Sequence, residues 1–126
     1  MDAAEQQRLV NDWIAFHHAE EDTSECDELR WAEQKLSNLS FENPMLCLDL
    51  VLEIIKLDTS DKVIAGLAAG PVEDMLVEKG DLVISRFEKL ASANTLFKKI
   101  LGGVWLGDEV SESIVDRFEA IRGDRW

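Results

Sequence analysis

From Met45 to Leu57 the chain reads MLCLDLVLEIIKL, which is apolar nearly all the way round if wound into a helix. Its charged residues, Asp49, Glu53 and Lys56, fall at i, i+4 and i+7 and share one stripe of an otherwise apolar cylinder. A helix of this kind is stable only when neighbours cover it on several sides. Asn43-Pro44 opens it, with proline at the first helical position, where its missing N–H leaves no bond unmade. The rest of the chain must therefore supply the cover.

It does so with more helices. Leu9, Val10, Trp13, Ile14 and His17 recur at helical spacing and predict a helix from about Ala3 to Glu20. A second covers roughly Glu25 to Leu39, with Leu29, Ala32, Leu36 and Leu39 inside. After the central helix, Thr59, Ser60 or Asp61 caps a helix carrying Val63, Ile64, Leu67 and Ala68. Gly70-Pro71 must kink or end it, because a mid-helix proline loses a bond to the residue-67 carbonyl and clashes with it. Gly80 is expected to end the next segment, and Asp81 to cap a helix with Leu82, Val83, Ile84, Phe87, Leu90 and Ala91 inward. Asn94 caps a short helix that Gly102-Gly103 break, and Val104-Trp105-Leu106 should pin a corner to the core. Asp108 is expected to cap the last helix, whose stripe is Val110, Ile114, Phe118 and Ile121, with Arg122 to Trp126 fraying. No strand-like alternation is present. The fold expected is all-α: about seven helices in a compact, helical-repeat-like array of antiparallel αα-hairpins.

A chain of 126 residues with 46% apolar content predicts one domain over 1–126, large enough for a real core. It has no apolar run long enough to span a bilayer, and MDAAEQQRL carries acids where a signal peptide has bases. Those features point to the cytoplasm. Cys26 and Cys47 form no disulfide framework, and Cys47 should pack as a small hydrophobe.

The charge is −13 and lopsided: residues 1–61 hold 15 acids and 4 bases, whereas 62–126 hold 11 and 9. The stretch Glu20 to Glu28 has six acids and no base. Such a field repels nucleic acid and anionic membrane and attracts basic surfaces, though it also serves solubility alone.

Few groupings suggest chemistry. His17 and Glu21, like His18 and Asp22, are spaced i, i+4, but zinc needs three or four ligands and no second cluster supplies them. An ordinary helix-end charge pair fits better, and no metal or cofactor is expected. Glu73-Asp74 reads as an acid pair at a helix N-terminus, where the dipole should lower a carboxyl pKa. Arg86 is expected to pair with Glu73 or Glu78. Trp31 is rotated away from Leu29, towards the acidic outer face.

Leu67-Ala-Ala-Gly-Pro-Val-Glu-Asp-Met-Leu76, Arg86 with Glu88, and Gly103-Val-Trp105 together resemble an uncharacterised bacterial family, a domain of unknown function. The resemblance spans about Asn43 to Arg122 and departs at Leu48, where the family pattern leads one to expect tryptophan. It implies a small helical protein and no particular activity. It marks Gly70, Pro71, Glu73, Asp74, Arg86, Glu88 and Trp105 as either a shared surface or a buried turn with its ion pairs.

The functional expectation is a protein-binding module whose acidic N-terminal half meets a basic partner, an immunity- or antitoxin-like inhibitor being one version. Asp22, Glu25, Asp27, Glu28 and Trp31 are its candidate contacts. The alternatives are a small enzyme with an acidic cleft around Glu73, Asp74 and Arg86, and an oligomeric scaffold.

Overall fold

The computed structural model covers residues 1–126 and is helical, with no strand. Seven α-helices run α1 (Ala3–His18), α2 (Ser24–Glu42), α3 (Pro44–Leu57), α4 (Asp61–Leu67), α5 (Glu73–Ala93), α6 (Thr95–Leu101) and α7 (Glu112–Ile121). No helix is long and apolar enough to cross a membrane. Side chains cap most N-termini, each accepting a bond from an otherwise orphaned N–H: Asp2 from Glu5, Thr23 from Cys26, Asn43 from Leu46, Asn94 from Phe97.

The third helix is the buried one. Cys47, Leu48, Leu50, Val51, Ile54 and Ile55 are covered, while Asp49, Glu53 and Lys56 face water. α1, α2, α5 and the α4–α5 joint pack around it. Leu48, where the resemblance departs, is fully buried. The core cluster draws on every helix and includes an edge-to-face Phe87–Phe97 pair with centroids 5.2 Å apart. Both cysteines are free and buried. Burial first, and Asp74 second, push the Cys47 thiol up to about 12, so it packs as an inert apolar group.

The Gly70-Pro71 joint is a bend. Ala68–Val72 form one π-helical turn, kinked at Gly70, that joins the two helices α4 and α5 into a bent rod; with that rod counted once there are six. Gly70 leaves the helical region at φ −106°, ψ −108°, as the residue before a proline tends to. The wider turn carries Pro71, which has no N–H to donate, without breaking the rod.

Several boundaries differ from expectation. α1 ends at His18, so Glu21 and Asp22 are not on its surface; the histidines bond instead to Glu33 and Asp58. A break falls beside the expected Gly80 boundary: two helical segments of α5 meet at a kink at Lys79 (φ −134°, ψ 31°), one residue before it, and Asp81 lies inside the second segment. Glycine is useful there because a Cβ would lie 3.2 Å from Ile114 Cγ2, and its absence lets α7 approach. Leu82, expected inside, is 64% exposed. Ser111, not Asp108, caps α7, and Val110 lies in the preceding connection.

The C-terminal tail does not fray. Gly123 N–H donates to the Lys98 carbonyl at 2.9 Å, Trp126 N–H to Gly102 at 3.4 Å and Trp126 Nε1 to Lys99 at 2.9 Å. The tail thereby adds bonds to the Lys98 and Lys99 carbonyls, which also accept from Gly102 N–H, and pairs the Gly102 carbonyl beyond the helix end. Gly102 makes this possible, since a Cβ there would collide with the Asp124 carbonyl oxygen. Gly102→Ala is predicted to cost about 1–3 kcal/mol through overpacking and to speed exchange of the Gly123 amide. Urea denaturation and hydrogen exchange check it; wild-type stability with a protected Gly123 would refute the docking role.

Candidate functional site

The acidic connection is held open to solvent. Glu20, Glu21, Asp22, Glu25, Asp27 and Glu28 are all exposed. Asp22 adopts φ 60°, the left-handed region that Asp tolerates better than most residues. Thr23 fixes the start of α2: its hydroxyl donates to the Glu20 carbonyl at 2.7 Å and accepts from Cys26 N–H at 3.2 Å. Asp27 pairs loosely with Arg30 at 3.4 Å, whereas Glu20, Glu21, Asp22, Glu25 and Glu28 have no cationic partner. Five unneutralised carboxylates on a short, ordered stretch make a strong local negative potential.

Trp31 does not face outward as expected. It is half-buried against α1, where Nε1 donates to Asp12 Oδ2 at 2.9 Å and the Arg8 guanidinium lies 4.8 Å from the ring centroid. The long α1–α2 contact turns this face inward, which spacing within α2 alone does not show.

Nearby, the two histidines tie α1 to other elements. His17 Nε2 lies 3.1 Å from Glu33 Oε2 on α2, and His18 Nε2 lies 2.8 Å from Asp58 Oδ2 between α3 and α4. The Asp58 carboxyl is held below the usual range, chiefly by hydrogen bonds from Ser60 and then by His18. The His17 ring also lies on Trp13, centroids 4.0 Å apart, and only the missing side chain of Gly66 leaves it room.

The seven residues singled out by the resemblance do not form one cleft. Gly70 and Pro71 build the bend. Glu73 accepts the Trp105 backbone N–H at 3.4 Å. Arg86 does not pair with Glu73 or Glu78; it donates to Asp49 of α3 at 2.5 Å and lies 3.7 Å from Met45 Sδ. Glu88 receives a bidentate pair from Arg117 of α7, at 2.5 and 3.1 Å, and Ser85 accepts from the same guanidinium. That clamp lowers the Glu88 carboxyl and raises the guanidinium. Trp105 stays 61% exposed, one face covered by the Arg125 guanidinium 4.0 Å from its centroid; Arg125 also reaches Glu119 and the Val104 carbonyl. Asp12, Asp49, Arg117 and Arg125 escape a reading of the sequence because each acts on a partner far away in sequence or lies in the tail.

Asp74 reverses the dipole expectation. Its carboxyl is raised, first by burial and then by Glu73, Glu78 and Glu33. Burial among other carboxylates outweighs the help a helix N-terminus gives an acid. A raised folded-state pKa means that ionised Asp74 opposes folding, and the opposition disappears as pH falls below its folded value. Asp74→Asn is therefore predicted to raise the Tm at neutral pH and to leave it unchanged once pH is low enough to protonate the wild-type side chain. A neutral-pH Tm equal to or below wild type would contradict this.

No curated protein and no solved structure matches the chain significantly. A family model does: it covers residues 19–125, from the acidic connection to the docked tail, and omits α1. The chain belongs to the family of unknown function DUF6869.

Proposed function

We propose that this protein is a binding module that presents the Glu20–Glu28 connection to a basic surface of another protein, in the manner of an immunity or antitoxin protein covering a cationic toxin site. The observation that carries the reading is the set of five exposed carboxylates there without an intramolecular cation, at the start of a rigid, capped helix. Charge held in place by Thr23 and by the α1–α2 packing needs little ordering on binding, and electrostatic complementarity raises the association rate. The chain-neighbour packing of α1 on α2 and α2 on α3 fits an array of αα-hairpins, an architecture that offers broad surfaces to partners. In this reading Trp31 supports the face from beneath, through Asp12, instead of inserting into the partner.

Affinity capture from the cells that make the protein tests it, with wild type and a Glu20→Gln, Glu21→Gln, Asp22→Asn, Glu25→Gln, Glu28→Gln variant as baits at low and high salt. The expected outcome is a basic protein retained by wild type at low salt, released at high salt and lost with the variant, because exposed charge pairs are screened. Identical captures by the two baits would refute the acidic-face model.

A further inference from the structure

A second surface has the same sign of charge and a different character. Where α5 bends at Lys79, its outer side and the connection before α7 leave an open notch of about 420 Å³, whose lining includes Val77, Glu78, Asp81, Leu82, Glu109 and Val110. Leu82, at 64%, is the most exposed large apolar side chain in the protein. Val77 and Val110 are half-buried beside it. None of Glu78, Asp81 and Glu109 takes part in an ion pair, and the only cation in the lining is Lys79. Arg117 is close enough to Asp81 to feel its charge, but its hydrogen bonds go to Glu88 and Ser85.

At the bend Gly80 lies against Ile114, and Ser111 and Ile114 close one wall of the notch. The volume lies low in the range of about 300–1,000 Å³ typical of ligand pockets, and the site is open. It suits one apolar anchor of a segment lying on the surface better than an enclosed small molecule. The carboxylates around Leu82, none of them in an ion pair, favour cationic neighbours for the anchor.

We infer that the α5–α7 notch is a docking site for a basic amphipathic segment of a partner protein, which seats an apolar side chain on Leu82, Val77 and Val110 and places Lys or Arg against Glu78, Asp81 and Glu109. The inference rests on the reading of the chain as the acceptor of a basic protein. It adds an apolar anchor that the Glu20–Glu28 face lacks, and an anchor is what converts charge attraction into residence time.

The test is an NMR titration of the isotopically labelled full chain with a synthetic Lys/Leu peptide, its leucines at i, i+3, i+4 spacing, and with a matched peptide carrying Ser for Leu. The expected result is shifts at the amides of Gly80, Leu82 and Val110 with the leucine peptide only. Leu82→Ser should weaken binding about tenfold. A Glu78→Gln, Asp81→Asn, Glu109→Gln variant should weaken it at low salt and converge on wild type at high salt. Shifts confined to residues 20–28, unchanged by Leu82→Ser, would overturn the notch and leave the acidic-face reading standing. Absence of shifts anywhere would overturn both.

Discussion

The burial of α3 is the constraint on which the rest of the structure depends. A helix apolar on nearly every side cannot sit at an edge, and each neighbour is shaped to cover part of it. α1 brings Leu9, Val10 and Trp13; the bent α4–α5 rod brings Leu67, Ala68, Val72, Met75 and Leu76. A straight α4–α5 helix would leave the core after a few turns. The π turn at Ala68–Val72 redirects the chain so that both arms stay on the core, and Asp49, on the one polar stripe of α3, anchors α5 from outside through Arg86.

The same logic accounts for most of the residues that carry the family resemblance. Gly70 and Pro71 make the bend, Gly103 makes room for the tail, Val104 is core, and Glu88 fastens α5 to α7 through Arg117. Glu73 ties the connection after α6 back to the start of α5. Their placement is that of joints and clamps. What remains exposed and uncompensated is charge: on the Glu20–Glu28 connection and around the notch beside Leu82.

The parts of this arrangement legible in the sequence are those set by local physics. The periodicity of α3, the Asn43-Pro44 start, the Asn94 cap and the Gly102-Gly103 stop depend on neighbours within a turn. The departures share a non-local cause. Gly80 and Asp81 look like a helix boundary, and a kink does fall at Lys79, but a second helical segment resumes at once, with Ile114 of α7 in the space a side chain at residue 80 would need. Arg86 has acids nearby on its own rod in sequence, yet Asp49 from α3 is the one that meets it. The angle between Trp31 and Leu29 points the indole outward, whereas the α1–α2 contact decides its environment. Asp74 looks like a first-turn acid, and only the packing shows that it is buried among Glu73, Glu78 and Glu33, which raises its carboxyl. The exposed acids between Glu20 and Glu28 are legible as a group because no base occurs among them; that their order comes from Thr23 bonded on both sides is not.

Two sets of residues thus separate: joints that hold the fold, and a charged face that the proposed function assigns to a partner. The hydrogen-exchange footprint of the chain in complex with the protein it captures tests this division most directly. The predicted result is slowed exchange in residues 20–30 on binding, with residues 68–76 and 102–106 as protected in the free chain as in the complex. Protection gained at 68–76 and 102–106, with 20–30 unchanged, would contradict it and return the Gly70–Trp105 residues to the role of a recognition surface.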